Sequence, residues 1–148
     1  RMRAAASYAG TSALTAGDLA DNPDAAEWGK SALGHFWGGP RLSESPLMTL
    51  NVVRQTQAHH QGNAVNALRE VLKKAIEEMK PEGQRRFTGE WLLYNILELK
   101  FLQGLKVRDV ALRLSVSEAD LYRKQRVAVD EVLKRIAQME GNADGTVR

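Results

Sequence analysis

Basic side chains are concentrated in the last third of the chain. Residues 100–136 contain nine Lys or Arg residues against five Asp or Glu residues, whereas residues 1–40 contain three against four. The 148 residues together carry a formal charge of +3. Clustered cations attract phosphate, so this part of the sequence permits an acidic partner such as nucleic acid but does not require one.

The residue types that carry catalysis or bind metal form no such cluster. Cysteine is absent, which excludes disulfides and thiolate metal sites and is typical of a protein of the cytoplasm. His59 and His60 are adjacent, so their side chains point in different directions on a helix, and no acidic partner stands at ligand spacing. No nucleophile–base pair, carboxylate pair or phosphate-binding glycine loop stands out. We therefore expect no enzyme activity, no metal site and no cofactor.

Two helices separated by a short turn position the basic side chains. The hydrophobic period of KVRDVALRL (106–114) predicts a short helix. Its inward positions are Val107, Val110, Ala111 and Leu114. The segment SVS forms the turn, and Ser117 with Asp120 resembles a capping box, with Asp in place of Glu or Gln. A long amphipathic helix then extends to about Glu140.

The preceding residues also have helical periodicity. One amphipathic stripe begins after Ser45, and a second helix is predicted over 63–79. EWLLYNILELKFLQG is apolar nearly all round, which predicts a buried central helix that begins at Thr88 and ends at Gly104. No segment of useful length has the period of a strand. The predicted fold class is an all-α multi-helix bundle with a C-terminal helix-turn-helix and a long final helix.

The predicted organisation is an arm, a helical domain and a tail. The helical domain contains a helical pair followed by the helix-turn-helix unit. The boundaries are 1–40 for an irregular N-terminal arm, 41–140 for the domain (41–87 for the pair and 88–140 for the unit) and 141–148 for the tail.

The arm combines acidic and aromatic residues. Pro23 suits the first position of a short helix over PDAAEWGKSAL. Large aromatics are costly to leave in water, so Phe36 and Trp37 are expected to plug a groove beside the buried helix over 91–102. Residues 18–27 then either lie near the basic helix and screen it, or belong to a passive leader.

The sequence GLKVRDVALRLSVSEADLYRKQRVAVDEVLKRI resembles the helix-turn-helix of bacterial sigma-factor region four and of related response-regulator output domains. The match covers about a quarter of the chain, and Lys124 departs from it at a position that is often apolar in these domains. The matching residues are Gly104, Val107, Asp109, Val110, Ala111, Leu114, Val116, Ser117 and Leu121. The longer block from FWGGPRLSESPL to MEG also resembles a helical module of some bacterial multidomain proteins.

The resemblance implies a DNA-binding, transcription-associated domain that inserts the helix starting at Ser117 into the major groove. Side chains on the exposed face of this helix are expected to contact DNA, and basic side chains on the preceding helix are expected to lie near phosphates. The first set is Ser117, Glu118, Tyr122, Arg123 and Arg126. The second set is Lys106, Arg108 and Arg113.

A protein-interaction or oligomerisation module is the alternative that the sequence leaves open. The final helix continues an apolar ladder with coiled-coil-like spacing beyond the length that a DNA reader needs. The ladder consists of Val129, Val132, Ile136 and Met139. Both functions hold together if this helix dimerises. No run approaches the ~18 apolar residues of a membrane span, so no membrane partner is expected.

Overall fold

The computed structural model describes residues 14–38, 41–84 and 89–143. These residues form helices and no strand, which confirms the all-α prediction. The α-helices are α1 (Ala16–Asp21), α2 (Ala25–Gly34), α3 (Asn51–Gln57), α4 (Ala64–Glu78), α5 (Gly89–Leu97), α6 (Val107–Leu114) and α7 (Glu118–Ala143). Thr88, which the sequence predicts as the start of α5, lies outside the described residues, as do residues 1–13 and 144–148. Among the described helices, none is both long and apolar enough to cross a membrane.

The described part of the N-terminal arm is helical, so the prediction of an irregular arm is wrong there. Thr15 caps α1 with a reciprocal capping box: its hydroxyl accepts from the backbone N–H of Asp18, and the Asp18 carboxylate accepts from the N–H of Thr15. The predicted short helix after Pro23 is confirmed as α2. Both helices dock on the domain because Leu19 and Leu33, among others, are buried in its core.

The long final helix α7 is the axis of the fold, and every other α-helix packs against it. It runs 26 residues to Ala143, so the predicted tail at 141 begins at least three residues too early. Its buried positions are Leu121, Gln125, Ala128, Val129, Val132, Leu133, Ile136, Ala137 and Glu140.

The predicted oligomer ladder lies inside this core and is not an exposed seam. Val129, Val132 and Ile136 are buried by the chain's own helices, and Met139 packs against the same cluster. A helix at the centre of a bundle and a coiled-coil strand need the same apolar spacing. The prediction of an oligomer interface at these residues is therefore wrong, because they pack against other helices of the same chain.

Two hydrogen bonds fix the aromatic end of the arm. Phe36 is buried, and its carbonyl accepts from Nε of Arg69 on α4 (2.6 Å). Trp37 is 64% exposed, and its indole N–H donates to the carbonyl of Leu102 (2.8 Å). The predicted docking beside the central helix is thus confirmed for Phe36, whereas the Trp37 ring remains on the surface.

The end of α5 is a π-helical turn over Glu98–Leu102. The N–H of Gln103 donates to the carbonyl of Glu98, and Gly104 adopts a φ of 75°, which glycine tolerates without steric cost. This glycine ends the helix as the sequence predicts. It redirects the chain into α6, so the position of α6 and of the turn that follows depends on it.

Candidate nucleic-acid interface

The end of α5, α6 and the start of α7 share a small core of their own. Its members are Ile96, Leu99, Val110, Ala111 and Leu121, all buried. Partly buried apolar side chains pack around it, namely Leu92, Leu105, Val107, Leu114 and Val116. Packing of this kind holds α6 and the first turns of α7 in one arrangement.

The connection between α6 and α7 is tight. Ser115 is in the left-handed region (φ 59°, ψ 44°) and ends α6, while the N–H of Val116 donates to the carbonyl of Ala111 (3.0 Å). The Ser117 hydroxyl accepts from the N–H of Asp120 (3.0 Å), as expected of an N-cap. The Asp120 carboxylate accepts from Nη2 of Arg123 (3.2 Å).

All eight residues that the sequence proposes for DNA contact are exposed. They are Lys106, Arg108, Arg113, Ser117, Glu118, Tyr122, Arg123 and Arg126. Glu118, Tyr122 and Arg126 are four residues apart and lie on one face of α7, with Arg123 beside them. The adjoining stripe of the helix is buried at Leu121, Gln125 and Ala128. The inward and outward positions of α7 therefore agree with the sequence prediction.

The charged side chains of this face are held weakly. The side chain of Arg123 is 71% exposed, and its ion pair with Asp120 is a surface pair within one helix. Such pairs contribute about 0–1 kcal/mol and are screened by salt. Arg123 can therefore leave Asp120 for a phosphate or a base at little cost.

A groove separates α2 from this face of α7. It has a volume of about 360 Å³. One wall is formed by Pro23, which precedes α2, and by Ala26, Glu27 and Lys30 on α2. The other wall is formed by Tyr122, Gln125, Arg126, Val129 and Asp130 on α7. Tyr122 remains 54% exposed. The arm thus borders the basic face without covering it, and only Glu27 of its acidic residues lines the groove.

Gln125 is a polar residue that lines this groove, and the sequence predicts that it faces the core. It is 6% exposed, and within the described residues its Oε1 atom has no hydrogen-bond partner. A buried acceptor without a partner is uncommon in folded proteins. The buried amide of Gln125 is therefore not explained by hydrophobic packing.

Metal-binding chemistry is not apparent in the part of the chain that the structure describes. No group of three or more His, Cys, Asp or Glu side chains there is placed to hold a metal ion. His60 contacts the carboxylate of Glu70 on α4. This contact joins the loop before α4 to that helix.

No family model, curated protein or solved structure matches the chain. The observations that bear on function are therefore the exposed face of α6 and α7, the small core beneath it and the groove beside α2. Their geometry and charge are sufficient to motivate a specific proposal.

Proposed function

We propose that the chain is a DNA-binding, transcription-associated domain in which α6 and α7 act as a helix-turn-helix. The observation that carries the proposal is the exposed face of the first three turns of α7, with Tyr122, Arg123 and Arg126 together on one side. The major groove of B-DNA is about 12 Å wide and admits one α-helix. The cap at Ser117 gives this helix a defined start, and residues that follow such a start are those that reach base edges.

The chemistry of the face suits a duplex. Arginine can donate two parallel hydrogen bonds to guanine, and a tyrosine hydroxyl can bind a phosphate. The basic residues of the preceding helix and its N-cap, which are Lys106, Arg108 and Arg113, are all exposed and available to the backbone. Phosphate contacts of this kind set the position of the reading helix and carry most of the salt dependence.

Two acidic residues moderate the affinity of this face. Glu118 and Asp120 lie in the first turn of α7, where they interact favourably with the positive end of the helix dipole. In a complex with DNA the same charges meet phosphates, which lowers affinity. Glu118 is exposed and Asp120 is only partly exposed, so Glu118 has the larger effect on a bound duplex.

An anisotropy titration with a labelled duplex of about two helical turns tests the proposal. The affinity of the wild type should fall steeply between about 50 and 200 mM salt. The double variant Arg123→Ala/Arg126→Ala should lose at least about tenfold in affinity, whereas Lys73→Ala/Lys74→Ala, which removes two exposed charges from α4, should not. A DNA affinity that does not change with salt concentration, or an equal loss of affinity in the two double variants, would refute the proposal.

Self-association through the surface is the second candidate function, and exposed apolar side chains favour it. Leu112 on α6 is 72% exposed and Val127 on α7 is 49% exposed. Because Val129, Val132 and Ile136 are buried, a second copy would have to cover exposed side chains such as these two. Sedimentation at high protein concentration tests this: a dimer that Leu112→Ser dissociates supports it, and a strict monomer excludes it.

A further inference from the structure

The groove beside α7 brings a lysine of the arm next to the proposed DNA-binding face. Tyr122 and Arg126 belong to that face and also line the groove. Lys30 lines the opposite wall and is exposed. Each wall of the groove therefore carries one cation, Arg126 on α7 and Lys30 on α2.

The packing of α2 fixes where this lysine lies. Gly29, its neighbour in sequence, is buried so closely against α7 that an added Cβ atom would lie 3.1 Å from Val129 and Leu133 side-chain atoms. Packed helices have axes about 8–10 Å apart, and a glycine at the contact permits the short end of that range. A reading helix in the major groove of B-DNA has a phosphate backbone on either side, and a side chain on a closely packed neighbouring helix can reach towards one of them.

We infer that α2 is a second DNA-contacting helix, in which Lys30 binds a backbone phosphate beside the major groove that α7 occupies. This inference rests on the proposed function, because α7 must first hold the duplex. The partner is duplex DNA, recognised through its phosphate spacing. The contact adds affinity but no sequence preference, since a phosphate carries no base information.

The acidic residues of the groove limit what it can bind alone. Glu27 and Asp130 line it together with Lys30 and Arg126, so two carboxylates oppose two cations. A free phosphate ion finds no net positive charge there. A duplex held by α7 instead presents a phosphate in one place, where Lys30 attracts it and Glu27, one helical turn away, repels it.

The opposite signs of these two charges define the test. In the same anisotropy titration, Lys30→Ala should lower affinity about three- to fivefold at low salt and reduce the salt slope by about one. Glu27→Gln should raise affinity by a comparable factor. The matched controls are Lys73→Ala and Glu82→Gln, which remove one exposed charge of each sign away from the groove. These variants should change DNA affinity less than twofold, because salt screens exposed charges that lie far from the duplex. Lys30→Glu should lower DNA affinity more than Lys30→Ala does.

The outcomes separate this inference from the proposed function. If Arg123→Ala/Arg126→Ala lowers affinity while Lys30→Ala and Glu27→Gln behave like their controls, α2 is not a contact and only the inference fails. An affinity loss in Lys30→Ala that salt does not diminish would also overturn it, because it would indicate a structural effect. If the wild type does not bind duplex DNA, both the proposed function and the inference fail.

Discussion

Gly29 of α2 faces Val129 of α7 so closely that an added Cβ atom would lie 3.1 Å from the valine Cγ1. Two Leu133 methyl groups lie at 3.1 and 3.2 Å from the same point. A side chain larger than hydrogen at this position must push the two helices apart. The N-terminal helices are therefore an integral layer of the domain, and their fixed position creates the groove beside Tyr122 and Arg126.

Replacing Gly29 with leucine should displace α2 and destabilise the fold. Overpacking of a close helix contact costs about 1–3 kcal/mol. The matched control is Gly34→Leu, because an added Cβ atom at Gly34 meets nothing within 4 Å and should leave stability nearly unchanged. Urea unfolding of both variants measures the difference. Equal stability of the two variants would show that α2 is not held at this contact.

The carboxylate of Glu140 stabilises the start of a distant helix. It is 1% exposed and accepts from the backbone N–H groups of Asn51 (3.1 Å) and Val52 (2.9 Å) at the beginning of α3. Glu140→Leu leaves both donors without this acceptor and should cost about 3 kcal/mol or more, since each hydrogen bond to a charged group contributes about 1.5–3 kcal/mol. Glu140→Gln retains one acceptor oxygen and should cost less.

The control for Glu140 is Gln138→Leu, which makes a comparable change at an exposed position of the same helix. Thermal unfolding should rank the proteins as wild type and Gln138→Leu first, then Glu140→Gln, then Glu140→Leu. If both Glu140 variants were as stable as the wild type, the carboxylate would not be the cap of α3.

Replacing Gln125 with methionine should cause no loss of folding stability. Methionine has nearly the same shape and removes the buried Oε1 atom that has no partner among the described residues. Removing an unsatisfied acceptor recovers a desolvation cost of about 1–3 kcal/mol, so Gln125→Met should be as stable as the wild type or more stable. Gln125→Ala leaves a cavity and should be less stable. A marked loss of stability in the methionine variant would mean that the amide is satisfied in solution.

Neutralising Glu118 should change DNA affinity and stability in opposite directions. Glu118→Gln removes a negative charge from the proposed DNA-binding face, so a mixed-sequence duplex should bind more tightly. It also removes a favourable charge from the first turn of α7, which costs about 0.3–1 kcal/mol of folding stability. Anisotropy and urea unfolding measure the two effects. Weaker DNA binding would contradict the repulsive role and indicate that Glu118 accepts from a base.

Local signals in the sequence are sufficient for the elements around the candidate site. The apolar period predicts a helix over 106–114, observed as α6 over 107–114, and Ser117 predicts the start of α7, because both depend on neighbours within one or two turns. The capping residues Thr15 and Asp18 carry the same kind of signal for α1, which the expectation of an irregular arm overlooks. Outward positions such as Tyr122 and Arg126 follow from the same period.

The partners of these elements could not be predicted in the same way. The spacing of Val129 and Val132 fits a dimer seam and a monomer core equally well, and only the position of the other helices decides between them. A glycine within a helix, such as Gly29, indicates a close contact with another helix but does not indicate which one. Glu140 near the end of an amphipathic helix looks solvent-exposed until the start of α3 is placed beside it. Each of these depends on contacts between residues far apart in the chain.

The proposed function requires the exposed face of α7 to occupy the major groove of DNA. Amide chemical shifts, followed by NMR during titration with duplex DNA, test it most directly because they report which residues meet the ligand. The largest changes should lie between Ser117 and Arg126 and near Lys106 at the start of α6. Changes confined to α3 and α4, or no changes at low salt, would contradict it.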